Sequence, residues 1–267
     1  MGKLHLLTYA QGNALNDGYE YAKTQKLLTD SIQDFTKREV VFHTYNLDSI
    51  RTKNWFKYIK DFPSIPDPHK WSRGGYWCAW KAFLSLEVFG SMSDGDLLYY
   101  IDSSRWQREG IMDNIDKLLD YVEQNESIFG SIGNDNTHIE GDACSNIKLW
   151  KLIWPESEDM LPTLLNTQHI LTTWYILRKD KITENILREW ADLFKGVEID
   201  GVPIFTLHQT PEQSLWNILV YREKGKVFHI NREDYTHSLA KNFNIPHWTI
   251  NQNPEPISSY IYDTNIS

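Results

Sequence analysis

The sequence predicts an α/β fold in one domain. Two patterns carry that expectation. Short β-rich runs alternate with helix-period segments along the first half of the chain. The run Gly95-Asp-Leu-Leu-Tyr-Tyr-Ile-Asp-Ser-Ser104 also has the unbroken apolar character of a strand buried on both faces. Size agrees: 267 residues, 41% hydrophobic and 24% charged, are enough for a substantial core.

Taken in order, Lys3 to Tyr9 (KLHLLTY) reads as a first strand that ends in a Gly-containing loop. Asp17 is placed to cap a helix from about Gly18 to Phe35, with Tyr21, Leu27, Leu28, Ile32 and Phe35 on its apolar side. Glu39 to Tyr45 (EVVFHTY) is a second strand, so the front is a βαβ unit with an expected right-handed crossover. The prolines of FPSIPDP, Phe62 to Pro68, make that stretch a loop. Gly75 to Gly90 then reads as a helix and Gly95 to Asp102 as a strand. Asp113 to Asn125 follows as a helix and Ser127 to Ile132 as a strand. Residues 134–168 look irregular. Thr172 to Arg178 is strand-like, Thr183 to Phe194 an amphipathic helix, Glu212 to Tyr221 a helix and Lys226 to Ile230 a strand. The expected organisation is a domain over 1–240, with a front half at 1–132 and a back half at 133–240. A tail at 241–267 would pack over the surface. No internal repeat appears.

The formal net charge of -9 argues against a nucleic-acid partner, since no basic surplus exists to release counterions. Cys78 and Cys144 are the only cysteines, too few for a disulfide framework or a thiolate zinc site. No apolar run approaches the ~18 residues of a membrane-spanning helix. The opening MGKLHLLTYAQG reads as a strand and not as a signal peptide. These features together set the expectation of a cytoplasmic chain without a transmembrane segment. Aromatic residues make up 13% of the chain, and rings with polar edges suit both core filling and stacking on sugars or bases.

Three stretches carry candidate chemistry. In Arg73-Gly-Gly-Tyr-Trp-Cys-Ala-Trp-Lys81, a helix would put Trp77 and Lys81 on one face, with Arg73 in the glycine-rich entry. Cations beside a helix N-terminus make a pyrophosphate site, although a Gly turn before a core helix with solvated cations gives the same letters. In Tyr100-Ile-Asp-Ser-Ser104, an aspartate ends a buried strand, where open α/β sheets bind ligands and where turn chemistry is also ordinary. In His208-Gln-Thr-Pro-Glu-Gln-Ser-Leu-Trp-Asn217, Pro211 suits a helix's first turn and Glu212 and Gln213 follow it.

In order and spacing, RGGYWCAWKAFLSLEVFGSMSDGDLLYYIDSS resembles bacterial and viral glycosyltransferases of the GT-A fold. These pair an Arg-Gly-x-Gly-Tyr-Trp-x-Trp-Lys-Pro-like helix with a Gly-Asp-Ile-Leu-Tyr-x-Asp-Ala-Gly-like strand. EQSLWNILVYREKGKVFHI is similar to the Asp-Gln helix and following strand of the same enzymes. The resemblance spans most of residues 3–230 and is most specific over 73–104. It implies a GT-A-type, Rossmann-like mixed sheet flanked by helices, and transfer of a sugar from a UDP-, GDP- or TDP-sugar to a hydroxyl of a glycan or glycoconjugate. Asp102 would take the first position of the Asp-x-Asp motif, near ribose, metal or both. Arg73 and Lys81 would contact the donor sugar or diphosphate. Thr8 and Tyr9 would lie beside the nucleotide, with Tyr45 stacking on the base. Glu212 would face the anomeric centre or the acceptor, and Gln213 the donor sugar.

Departures from the pattern accompany it. Ser104 stands where the second metal carboxylate is expected, Ala82 where proline is common, and Glu212 where the family has Asp. A Mn²⁺ or Mg²⁺ cofactor would then rest on Asp102 and the diphosphate, with His208, His229 or His237 as a further ligand. A lone histidine is as readily a satisfied structural residue. The Asp-Gln-like helix leans the expected chemistry toward retention of configuration. The rival readings are a glycoside hydrolase working with two carboxylates, a nucleotidyltransferase and a non-catalytic carbohydrate-binding protein.

Overall fold

The computed structural model describes residues 2–10, 15–16, 19–62, 78–103, 115–133, 147–161, 170–196, 198–199, 202–203, 211–231 and 261–262. The strands of its main sheet are β1 (Leu4–Ala10), β2 (Val40–Asn46), β3 (Leu97–Ile101), β4 (Ile128–Gly133), β5 (Ile170–Arg178), β6 (Lys226–Asn231) and the short β7 (Ile261–Tyr262). They form a seven-stranded sheet in the order β7-β6-β4-β5-β3-β1-β2. β1 pairs in parallel with both β2 and β3, and β4 with β6, whereas β5 runs antiparallel between β3 and β4. The fold is therefore α/β with a mixed sheet, compatible with a Rossmann-like arrangement. Two-residue ladders at Leu15–Asn16 with Tyr19–Glu20, and at Glu198–Ile199 with Val202–Pro203, stand apart from it.

Side-chain alternation along the strands assigns two faces. Leu4, Leu6, Leu97, Tyr99, Ile101, Ile128, Trp174 and Ile176 meet one helical layer. That layer comprises α1 (Tyr21–Ser31), through Leu28, and α4 (Ile115–Gln124), through Ile115, Leu118, Leu119 and Val122. Leu7, Tyr9, Leu98, Tyr100, Phe129, Tyr175 and Leu177 meet the other layer, which holds α3 (Trp80–Ser91), α6 (Lys181–Leu193) and α7 (Pro211–Arg222). Each fully buried Leu or Ile in these layers contributes ~1.5–3 kcal/mol of transfer free energy. α3 is apolar around most of its circumference, the mark of a helix enclosed by the fold. Lys81 is the buried charge on it.

Local chemistry sets several boundaries. The first long helix starts at Tyr21 and not at Gly18, and its end tightens into a 3₁₀ turn at Ile32–Asp34; Asp17 lies outside the described residues. After β2, Asn46 caps α2 (Leu47–Arg51): its side chain accepts from the Ser49 amide while the Ser49 hydroxyl accepts from the Asn46 amide. A 3₁₀ helix follows at Asn54–Tyr58. The expected helix over 75–90 begins later, at Trp80, because Cys78 takes a φ of 55°, which no α-helix accommodates. The expected pairing of Trp77 with Lys81 across one helical face involves Trp77, which lies outside the described residues. Within the region expected to be irregular, α5 (Ile147–Ile153) and a 3₁₀ helix at Pro155–Met160 form. Gly95, at φ 86°, makes the turn between α3 and β3 that other residues adopt only with strain.

Candidate functional site

β1 is a topological switch point: from its two sides the chain builds β2 in one direction and β3 in the other. Open α/β sheets bind ligands in the crevice at the carboxyl ends of such strands. Asp102 stands there, one residue beyond β3. Its amide donates to the Thr173 carbonyl at 2.9 Å, which extends the β3–β5 pairing and makes the aspartate part of a rigid element. Its side chain, on the α3 face with Leu98 and Tyr100, remains 22% exposed.

Behind this carboxylate sits Lys81, whose side chain is 4% exposed. Its Nζ lies 3.1 Å from Asp102 Oδ1 and 3.5 Å from Oδ2, and donates to the Thr172 carbonyl at 3.2 Å and the Thr172 hydroxyl at 3.5 Å. Burying an ammonium is costly unless it is paired and hydrogen-bonded, and here it is both. Burial pulls the Lys81 pKa down, but Asp102, then Cys78 and Glu212, outweigh it and hold the group above the ordinary lysine value. The Tyr100 hydroxyl donates to Asp102 Oδ1. Tyr100 stacks on Tyr175 at 4.9 Å, and the Tyr175 hydroxyl shares a 2.6 Å hydrogen bond with Ser85. Asp102 is thus positioned from behind by a cation and a phenol, each locked by packing.

Thr172 joins this group through an irregularity in β5. Phe129 faces Tyr175, yet Ser131 faces Ile170, so β5 carries extra residues between those two pairings. Such irregularities re-aim side chains. Trp174 packs on the α1/α4 face while Thr172 reaches Lys81 and α7. Gly130 makes room for this: a Cβ there would come within 2.2 Å of the Trp174 ring. Asn217 of α7 clamps the start of β5, accepting from the Ile170 amide at 2.6 Å and donating to its carbonyl at 2.7 Å.

Glu212 occupies the first turn of α7 and is 4% exposed. The Thr172 hydroxyl lies 3.3 Å from Glu212 Oε1 and 3.4 Å from Gln213 Oε1, and its single proton can satisfy one of them at a time. Glu212 Oε2 is buried with no partner among the described residues. Burial raises the Glu212 pKa, Lys81 opposes that, and Asp102 adds to it. The Trp190 indole donates to the Glu212 carbonyl at 3.0 Å, fixing this turn to α6. The Cys78 thiol faces the same charges; burial and the Glu212 carboxylate push its pKa far up, so it is not a thiolate nucleophile.

Lys81, Asp102, Glu212 and Gln213, scattered over the sequence, therefore converge. Other candidates sit differently. Thr8 is buried on the opposite, α1/α4 face, and its hydroxyl has no partner among the described residues. Tyr9 is on the site face, but its ring stacks on Trp80 at 4.0 Å and is nearly enclosed. Tyr45 lies at the carboxyl end of β2, in register with Tyr9, with the Lys53 ammonium 5.2 Å over its ring. Gln25 ties these ends together by donating to the Thr8 and Tyr45 carbonyls at 3.1 and 3.2 Å. Arg73, Ser104, His208 and His237 lie outside the described residues; His229 falls in β6, but its side chain does too. Sequence reading missed Tyr100, Thr172 and Asn217. The signal for Asn217 was an amide inside the apolar run SLWNILVY; Thr172 and Tyr100 read only as strand residues.

A protein-held Mn²⁺ or Mg²⁺ needs several oxygen ligands around one point. Among the described residues no three His, Cys, Asp or Glu side chains come together for a metal. The carboxylate best placed for one already accepts from Lys81 and Tyr100. No helix among the described residues is long and apolar enough to cross a membrane. Comparison with family models, curated proteins and solved structures finds no match to this chain.

Proposed function

We propose that the chain is a GT-A-type glycosyltransferase, which moves a sugar from a nucleoside-diphosphate sugar to a hydroxyl acceptor. The supporting observation is convergence. The stretches that carry the sequence resemblance contribute Lys81, Asp102 and Glu212, separated widely along the chain, to one cluster at the carboxyl ends of the sheet. The leaving group of sugar transfer is a nucleoside diphosphate that gains charge as the bond to the sugar breaks. Cations near it stabilise that charge selectively in the transition state. In this reading Asp102 binds the donor at the mouth, Lys81 holds Asp102, and Arg73 is the candidate for the phosphates.

The deep burial of Glu212 favours this reading over a glycoside hydrolase, which needs two carboxylates facing one cleft. With Lys81 and Thr172 between it and Asp102, Glu212 is better suited to shaping the field of the site than to taking a proton from a bulky acceptor. The test is release of nucleoside diphosphate from a panel of UDP-, GDP- and TDP-sugars. One donor turned over, with the activity lost in Asp102→Ala, supports the assignment. Pyrophosphate release from a nucleoside triphosphate, or glycan binding without any nucleotide binding, would replace it with a nucleotidyltransferase or a carbohydrate-binding protein.

A further inference from the structure

We propose that Lys81 is a positioning residue whose ammonium occupies the place of a divalent cation beside Asp102, so that the site engages its donor without a protein-bound metal. This rests on the glycosyltransferase reading. Three observations carry it. The ammonium is buried and lies 3.1 Å from Asp102 Oδ1. Its remaining donors are held by the Thr172 carbonyl and hydroxyl, at 3.2 and 3.5 Å, so it is fixed and does not swing out toward solvent. Oδ1 also accepts from the Tyr100 hydroxyl. Asp102 Oδ2, 3.5 Å from Nζ, is the less engaged oxygen of a carboxylate that is itself 22% exposed.

A metal ion approaching Asp102 would meet a fixed positive charge within one carboxylate's width. Coulomb repulsion at such separations is several kcal/mol at an effective dielectric of ~20. A hydroxyl meets no such penalty, and a carboxylate whose proton donors lie behind it is a ready acceptor for one. Asp102 therefore takes a donor hydroxyl on its less engaged oxygen, with Lys81 and Tyr100 supplying the fixed geometry that a metal would otherwise give.

The experiment has two arms on the full chain. In the first, Mn²⁺ is titrated and followed by electron paramagnetic resonance, without nucleotide. Wild type should show no bound Mn²⁺ that Asp102→Asn removes, whereas Lys81→Met, which frees the carboxylate, should gain such a site. In the second, turnover of the nucleotide sugar selected by the panel is measured with EDTA and with Mn²⁺. Wild type should keep its rate in EDTA. Lys81→Met should lose roughly 10–100-fold in EDTA, the usual scale for a positioning group, and regain part of it with Mn²⁺. Lys81→Arg should stay closer to wild type. A purely structural lysine would give neither the new Mn²⁺ signal nor the rescue. Asp102-dependent Mn²⁺ binding in wild type, or a tenfold or greater loss in EDTA, overturns the proposal. If Lys81→Met does not fold, the wild-type measurements and Lys81→Arg still decide. If no nucleotide sugar is turned over under any condition, the glycosyltransferase reading falls with the donor half of the proposal, and the Mn²⁺ arm alone decides the cation half.

Discussion

The two ends of the central strands carry polar clusters of similar composition and opposite character. At the amino end, Asp96 accepts from the Lys3 amide at 2.8 Å and the Ser93 amide at 2.9 Å, and pairs with His5 Nε2 at 3.2 Å. His5 Nδ1 in turn meets His43 Nε2 at 2.9 Å, with the rings stacked. Nearby, the buried Arg38 guanidinium bonds Asp120 and Glu123 at 2.7 and 2.8 Å and ties the start of β2 to α4. At the carboxyl end, Asp102 stands partly open, one Glu212 oxygen is unmatched among the described residues, and a lysine is buried to hold a carboxylate in place. Buried polar groups are normally satisfied, and each one that is not calls for an explanation, a bound ion or water among them. The amino end spends its carboxylate on the fold; the carboxyl end keeps capacity in reserve.

The comparison breaks most visibly in activity. Asp102→Ala should lower nucleotide-sugar turnover by roughly 10²–10³-fold, as removing one charge-positioning group does. The same variant should stay folded by circular dichroism, with a lower melting temperature because Lys81 loses its carboxylate. Asp96→Ala should do the reverse. It leaves two backbone amides and His5 without an acceptor, and should cost about 2–3 kcal/mol in urea denaturation while turnover of the folded fraction is unchanged.

Gly130→Ala sharpens the comparison by moving the carboxyl end without touching its charges. The new methyl collides with Trp174, next to the irregularity that aims Thr172 at Lys81. A loss of about 1–3 kcal/mol is expected, with a fall in turnover beyond what the unfolded fraction explains. Stability measured at several urea concentrations and turnover measured on the same samples separate the two effects.

The smallest expected effect concerns pH at the amino end. Burial, and then the charge of His5, lower the His43 pKa from 6.5 to about 4, against a weaker pull from Glu87. The unfolded chain therefore binds the proton more tightly, so stability rises with pH between about 4 and 6.5 and falls as acid is added. For a half-buried group the amplitude should be on the order of 1 kcal/mol. His43→Gln should flatten the pH dependence of urea midpoints in that window; an unchanged slope would remove His43 as its source.

How much of this was legible in the sequence follows from where its signals are local. KLHLLTY, EVVFHTY, GDLLYYID and TTWYILR are β-branched or aromatic runs bounded by turn residues, and each became a strand close to its expected limits. Residues 181–193 carry a one-sided apolar pattern, so that helix was plain, and Asp180 just before it caps it by accepting from the Thr183 amide. α5 was not, because Ile147–Ile153 is a short run whose helical form depends on neighbours that Trp150 packs against. The late start of α3 was hidden in the backbone of Cys78. At the site, Asp102, Lys81 and Glu212 came from the three stretches that carry the sequence resemblance, and the cluster joins them. That Lys81 would face Asp102 required knowing how α3 is turned against the sheet, and Thr172 required the shifted β5 pairing. Both are tertiary facts that no local pattern encodes.

The most direct measurement is diffraction from crystals soaked with the nucleoside diphosphate of the active donor. Ligand density at the carboxyl ends of β1 and β3, within hydrogen-bond distance of Asp102, is the predicted result. Density lodged instead at the amino end, in the groove between Asp94 and Arg188, or a bound nucleotide that leaves Asp102 untouched, would contradict the account.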